Sequence, residues 1–455
     1  MWSEAGSLWG VAFPTALTGL ILYLRTMVSM MFLGQQGESP LAAGSLAMAF
    51  ANISGYSVLS GLSLGMEPLC SQGFGAHRPK LLSQTLHRSI LFLLISSIPI
   101  SILWIQFSKV LLFLNQPLNV TLMAQKYLLF LLPELLTHSF LHPIKVYLRA
   151  QSVTLPVTLS SLAGTLLHVP LNLLLSKHGV AGVAAASAAS SFAILAMLLV
   201  YVVLRSSAWA PPSRECFTGW APLLRLAAPS CASVCLEWWW YEIMILLCGL
   251  LVDPTASVAA MGVLIQTTSF IYVFPSSLSF AVSTRVGNEL GANRAHRARA
   301  SAVLALFFAA LMGFSALVFA AAMRRRWGRM FTVDDGILKL TAAALPILGL
   351  CELGNCPQTV ACGVLRGTAR PNLAANVNLG AFYLIGMPVA VGLAFWLGVG
   401  FCGLWLGLLS AQVCCAGLML YMVGTTDWEY QACRAQMLTA PDDSDGNKEP
   451  LITTV

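Results

Sequence analysis

Two long apolar stretches of this chain run into the same kind of ending, Cys70-Ser71-Gln72-Gly73-Phe74-Gly75-Ala76-His77-Arg78 and Val286-Gly287-Asn288-Glu289-Leu290-Gly291-Ala292-Asn293-Arg294. The chain reads as two copies of one unit, and a duplicated membrane bundle is a transporter architecture with its substrate site between the copies. Other pairs fall in matching places. Leu148-Arg149-Ala150-Gln151 resembles Leu365-Arg366-Gly367-Thr368, each followed shortly by a proline, Pro156 or Pro371. Turn chemistry follows the first span of each copy, at Gly37-Glu38-Ser39-Pro40 and at Asp253-Pro254, and Pro14 and Pro229 sit near the start of each copy.

Composition excludes a water-soluble globule. Of 455 residues 57% are apolar and only 9% are charged, whereas a soluble domain carries about a quarter charged residues. The net charge of +7 does not mark a nucleic-acid partner, because the Lys and Arg residues read as short loops rather than one basic stripe. The twelve Cys residues lie mostly in apolar stretches without a paired CxxC frame and read as small buried hydrophobes. Met1-Trp2-Ser3-Glu4 lacks the basic region of a cleavable leader, so the first apolar run is a retained span.

Scanning for runs long enough to cross a bilayer gives spans near 8–33, 43–69, 89–113, 122–143, 155–175, 181–204, 226–252, 256–282, 300–322, 337–362, 373–396 and 402–424. The fold class is an all-α polytopic membrane protein: an N-lobe over 1–204, a cytoplasmic linker over 205–225, a C-lobe over 226–424 and an acidic, disordered tail over 425–455. Six spans per copy make the lobes parallel repeats, with Gly61 and Gly65 suited to close helix contact. Arg78, Lys80, Arg88, Lys145, Arg149, Arg205, Arg285, Arg294, Arg366 and Arg370 fall on one side, which is predicted to be cytoplasmic together with both termini. Arg324-Arg325-Arg326 and Arg329 break the rule, partly offset by Asp334 and Asp335, and the sequon Asn119-Val120-Thr121 falls in an outer loop.

Intramembrane carboxylates cost about 2.5–3.5 kcal/mol even on a permissive insertion scale and usually face a cavity or a partner. Span 7 holds Glu237 and Glu242, span 10 holds Glu352, and the first copy offers Glu67 and Glu134. Burial disfavours the charged form of such acids, which lets them exchange protons and couple a gradient to another event. At about 100° per residue Glu237 and Glu242 point roughly 140° apart, so one cavity holds both only if it is broad or the helix is distorted. Trp238, one turn before Glu242, offers an aromatic wall for an organic cation, or else packs against neighbouring helices. Glu67 reads as a helix-end residue. Glu134, His138 and His142 share one helical face, suited to a metal or a proton relay, although His142 directly precedes Pro143 and is predicted to end the helix there. No Walker loop, GxSxG elbow or HExxH pair is present.

These residues resemble the multidrug and toxic compound extrusion transporters, in particular their plant DETOXIFICATION branch. The resemblance covers nearly the whole chain and rests on Leu236-Glu237-Trp238-Trp239-Trp240-Tyr241-Glu242, on Arg285 to Ala292, on Gly65 to Gln72, and on Cys351 to Gln358 running on to Gly367. It implies two six-helix lobes in a V, with Glu237, Glu242 and Glu352 as the proton- or cation-coupling acids. Trp238, Tyr241, Asn355, Gln358 and Glu134 are then the substrate-cavity candidates, and Arg285, Asn288, Glu289 and Gly291 a conformational motif. Two departures stand out: many relatives carry a longer polar N-terminal tail, which suggests a truncated gene model, and a small or hydroxyl residue at the place of Trp240, whose bulk is expected to narrow the pocket or add a stacking surface.

The expected activity is export of an organic solute, whether organic cation, flavonoid, alkaloid or hormone-like, against incoming protons, by a monomer with no cofactor and no metal. Sodium coupling and amphiphile flipping fit the same fold, while a membrane-embedded enzyme built on Glu134, His138 and His142, or a receptor, are the readings from other classes. The pair Leu451-Ile452 near the chain end points to endosomal or vacuolar sorting, with the plasma membrane as the other destination.

Overall fold

The computed structural model describes residues 2–113, 117–206 and 208–440. Twelve helices in it are long and apolar enough to cross a membrane: span 1 Glu4–Gln35, span 2 Glu38–Gly75, span 3 Pro79–Ile105, span 4 Leu118–Ala150, span 5 Leu155–His178, span 6 Val180–Arg205, span 7 Ala221–Cys248, span 8 Pro254–Gly291, span 9 Ala295–Met323, span 10 Asp335–Gly367, span 11 Pro371–Trp396 and span 12 Phe401–Gly424. A short helix, Phe107–Phe113, follows span 3, and no strand occurs among the described residues. The acidic stretch from Asp442 to Ile452 lies outside the described residues, but the tail does not begin where the sequence suggested: Trp428–Thr439 is a helix capped by the Asp427 carboxylate, which accepts from the Tyr430 amide at 3.0 Å.

Span 9 turns its bulky residues to lipid and its small ones inward. On span 9 Phe307, Leu311, Phe314 and Val318 are exposed, while Ala298, Ala302, Ala305, Ala309, Gly313, Ala316 and Ala320 form a buried seam. Lipid leaves no hydrophobic drive between helices, so close approach along such seams holds the bundle together. The second copy has one large apolar core, to which Leu8, Val11 and Ala12 of span 1 also belong. The first copy has two. On span 4 the residues from Ala124 to Leu135 join one cluster and those from Leu141 to Ala150 the other, with a polar belt between them at Glu134, His138 and His142.

Spans 2, 4, 8 and 10 run past their apolar windows, to Gly75, Ala150, Gly291 and Gly367. Span 8, with 38 residues, is about 57 Å long at 1.5 Å per residue, well beyond a hydrocarbon core of about 30 Å. All four end alike, with His77, Ser152, Asn293 and Ala369 in the left-handed region at φ 55°, 60°, 55° and 55°. The amide of the next residue turns back to a carbonyl five residues earlier: Arg78 to Gly73 at 2.9 Å, Val153 to Leu148 at 2.9 Å, Arg294 to Glu289 at 2.8 Å and Arg370 to Leu365 at 2.8 Å. This is the Schellman cap, and its recurrence at both pairs of matched sequence endings is the duplication made visible.

Pro143 does not end span 4, which runs on to Ala150. Inside a helical bundle, neighbouring groups re-satisfy the carbonyl that a proline leaves unpaired, so hydropathy and proline together misplace the helix end. The segment between the copies is anchored rather than loose. Ser83 Oγ donates to the Ala210 carbonyl at 2.9 Å and accepts its amide at 3.0 Å, and Lys80 pairs with Glu215 at 2.9 Å. The adjacent Lys80 ammonium holds the exposed Glu215 carboxyl below the usual carboxylate range.

Candidate functional site in the cleft between the copies

The two matched endings pack against each other at the face where the chain begins, here termed the terminal face. A Cβ on Gly75 would overlap the carbonyl of Asn288, and one on Gly291 would overlap that of Gln72, so only glycine permits this approach. Gln72 Nε2 also donates to the Gly367 carbonyl at 2.9 Å. From Trp428–Thr439, Gln436 donates to the Gly291 carbonyl at 2.8 Å and Arg434 to the Ala369 carbonyl at 3.2 Å, which ties the final helix to the ends of spans 8 and 10.

Ion pairs reinforce the closure. Glu67 is buried, 3.2 Å from Arg149 of its own copy and 3.4 Å from Arg366 of the other. The two guanidinium groups flank the ring of Phe280, at 4.1 and 5.5 Å from its centroid. Glu67 is thus a bridge between copies, more than the helix-end residue read from sequence. Arg285 joins Glu4 at 3.1 Å and Glu289 at 2.7 Å, and Arg294 meets Glu289 at 2.8 Å. The motif residues Arg285, Asn288, Glu289 and Gly291 therefore all lie in this contact. Toward the opposite face, the outermost cross-copy hydrogen bonds among the described residues are Tyr23 to Gln266 at 2.8 Å and Trp239 to the Ile53 carbonyl at 3.2 Å.

In the second copy Glu352 is buried, accepting hydrogen bonds from the Thr268 hydroxyl and from Asn355 Nδ2, the latter at 2.9 Å. Glu237 is buried with no hydrogen-bond or ion-pair partner among the described residues, and the charges in reach of it are Arg366 and Glu352. Tyr241 lies within electrostatic reach of both acids, and Tyr272 of Glu237. Thr359 donates to Asn355 at 3.4 Å, and the buried Gln358 sits one turn further along span 10. Glu242 stands apart: it is half-buried, and neither of the other two acids influences it. Trp238 is exposed on the Glu242 side of the helix. Trp240 does not enter the cleft as its bulk suggested, because it is fully buried against Phe382 and Tyr383, with centroids at 5.6 and 6.2 Å.

Glu134 in the first copy is not a free acid. Arg25 of span 1 reaches it at 2.9 Å, Ser191 donates to it at 2.7 Å, and His138 lies 3.6 Å away. His138 and His142 follow at 3.2 Å, so the three residues form a chain instead of converging on one point, and no metal-ligating cluster occurs among the described residues. Arg25 escapes an inspection confined to carboxylates, although a lone arginine in an apolar run is itself a signal. Lys145, Arg149, Arg285 and Arg366, read above as loop charges, lie within spans 4, 8 and 10. Lys145 and Arg149 line a cavity of about 210 Å³ between the copies, with Thr15, Thr18, Tyr272 and Phe280.

Residues 14–174 and 229–391 each match the MatE family model, so the match begins at the paired prolines Pro14 and Pro229 and counts the duplication independently. The chain belongs to the MatE family. Among Arabidopsis thaliana proteins, Protein DETOXIFICATION 51 is 65% identical over 97% of this chain and 84% of its own length. Protein DETOXIFICATION 52 is 60% identical over 97% of this chain and 88% of its own. The crystal structure of the eukaryotic MATE transporter AtDTX14 superposes with a TM-score of 0.93 at 30% identity, over 96% of this chain and 99% of that one. The fold is therefore that of MATE transporters, and the chain is a multi-pass membrane protein of this transporter family.

Proposed function

We propose that this MatE protein is a secondary antiporter that exports organic solutes in exchange for protons, with Glu237 and Glu352 as the coupling acids. The observation that carries the proposal is the buried, unpartnered Glu237 carboxylate on the same side of the C-terminal lobe as Glu352. A buried carboxylate without a partner is costly when ionised, so its protonation follows the solvent it faces. A proton arriving from one side neutralises it, weakens its hold on a solute carrying positive charge and favours the packing that closes that side; the gradient then sets direction. Glu242, half-buried and remote from the pair, serves as an auxiliary charge at the outer mouth. Asn355, Gln358 and Tyr241 are the polar lining, and Glu134, neutralised by Arg25, is structural. The terminal face is taken as cytoplasmic with both termini, which makes this a state closed toward the cytoplasm. The protein works as a monomer, in the plasma membrane or an endosomal or vacuolar membrane.

Efflux of a fluorescent organic cation from proteoliposomes under an imposed pH or sodium gradient tests the coupling ion. Efflux driven by the pH gradient and indifferent to sodium is expected; efflux driven by sodium contradicts the proposal.

A further inference from the structure

We infer that the cavity between spans 1, 4, 5 and 8 is a binding site for an organic monoanion, a carboxylate on an apolar or aromatic body, held by the Lys145 ammonium. The inference rests on the transporter reading above and gives its solute a second charge class.

Lys145 lines the cavity and has no hydrogen-bond or ion-pair partner among the described residues. The titratable groups within its reach are Arg25 and Arg149, both of the same sign, and the imidazoles of His138 and His142, none of them an anion. Arg25 is committed to Glu134 and Ser191, and Arg149 to Glu67 and the face of Phe280. Four of the cavity hydroxyls are engaged: Thr15 donates to Val11, Thr18 to Pro14, and Ser276 and Ser277 to Val273, all at carbonyls of their own helices, which leaves those of Thr154 and Tyr272 to meet a ligand beside the ammonium. One half-buried ammonium with three donors thus faces the open space without a partner among the described residues, and an anion that enters the cavity can meet it.

Size and lining narrow the class. About 210 Å³ is below the 300–1,000 Å³ typical of drug-sized ligands, so a small acid or one end of a larger solute fits. Leu22, Val157, Val273, Tyr272 and Phe280 supply apolar and aromatic walls around the charge. One free cation matches one negative charge. The cleft is consequently bipolar, with Lys145 on the N-terminal lobe and Glu237 on the C-terminal lobe, joined by Tyr272, which lines the cavity and lies within reach of Glu237.

The test is equilibrium binding of radiolabelled benzoate and of its neutral isostere benzamide to the full chain in phosphatidylcholine nanodiscs. Benzoate is expected to bind about tenfold more tightly than benzamide, Lys145→Gln to lose that preference, and Lys145→Arg to keep it. The wild-type comparison stands even where a variant fails to fold. Equal binding of the two probes, absence of saturable benzoate binding, or an unchanged preference in a folded Lys145→Gln overturns the site. Nanodiscs containing phosphatidylglycerol separate the sources of the anion: Lys145-dependent benzoate binding that survives in them assigns the site to soluble acids, and displacement by the lipid assigns the same charge site to a headgroup. No gradient exists in a nanodisc, whereas proton coupling is read from gradient-driven efflux, so either reading can fail alone.

Discussion

Arg25 and Glu134 illustrate how much a single buried charge depends on its partner. Removing one member of a buried pair leaves the other uncompensated, at a cost of about 3–5 kcal/mol, while replacing both by apolar residues of similar volume is often neutral. Glu134→Gln and Arg25→Met are each expected to lower the thermal midpoint of the purified protein markedly, and the double variant Arg25→Met, Glu134→Leu to recover much of the loss; additive losses would contradict the pairing. Ala369 holds a left-handed conformation that costs a non-glycine residue about 1–2 kcal/mol. Ala369→Gly should stabilise the fold by at most about 1 kcal/mol, once the entropy of the unfolded chain and the loss of a buried methyl are counted, and so raise the midpoint. An unchanged or lower midpoint would show that the cap is not strained. Residue identity alone made Glu237 and Glu352 stand out, because acids in apolar runs are rare. It did not reveal that Glu134 is neutralised from span 1, 109 positions away, or that Lys145 and Arg149 sit inside a helix.

At the scale of elements, hydropathy located every span but misjudged where several of them stop: expected over 89–113, span 3 ends at Ile105 and a separate helix, Phe107–Phe113, follows, while four others run on. Apolar windows follow the bilayer, whereas the ends of spans 2, 4, 8 and 10 continue as polar helix because they pack on one another outside it. The repeated Gly-rich endings were legible as a duplication. Their mutual contact was not, since nothing in either motif names its partner. That contact is also where a conformational change must act, because the lobes separate at the terminal face only if Gly75 and Gly291 come apart. Gly291→Val should prevent closure: spin labels at the exposed His77 and His296 are expected to report longer distances than in the wild-type background, with transport lost and expression retained. Unchanged distances would mean that the glycine contact does not set the closed state.

For the whole molecule, the fold ties the two copies together at one end with ion pairs that bridge them. Glu67, Arg149 and Arg366 hold that end through a buried cluster, while Glu237 waits unpaired further in. The decisive question is whether Glu237 and Glu352 carry coupling or merely fill space. Counterflow of a labelled solute between equal concentrations, without any gradient, measures alternation of the lobes alone; accumulation under a pH gradient measures coupling. Both are to be read in the same proteoliposomes for wild type, Glu237→Gln and Glu352→Gln. Retained counterflow with gradient-driven accumulation abolished in both variants is the predicted result. Accumulation that persists in both variants, still driven by the pH gradient, would contradict the account.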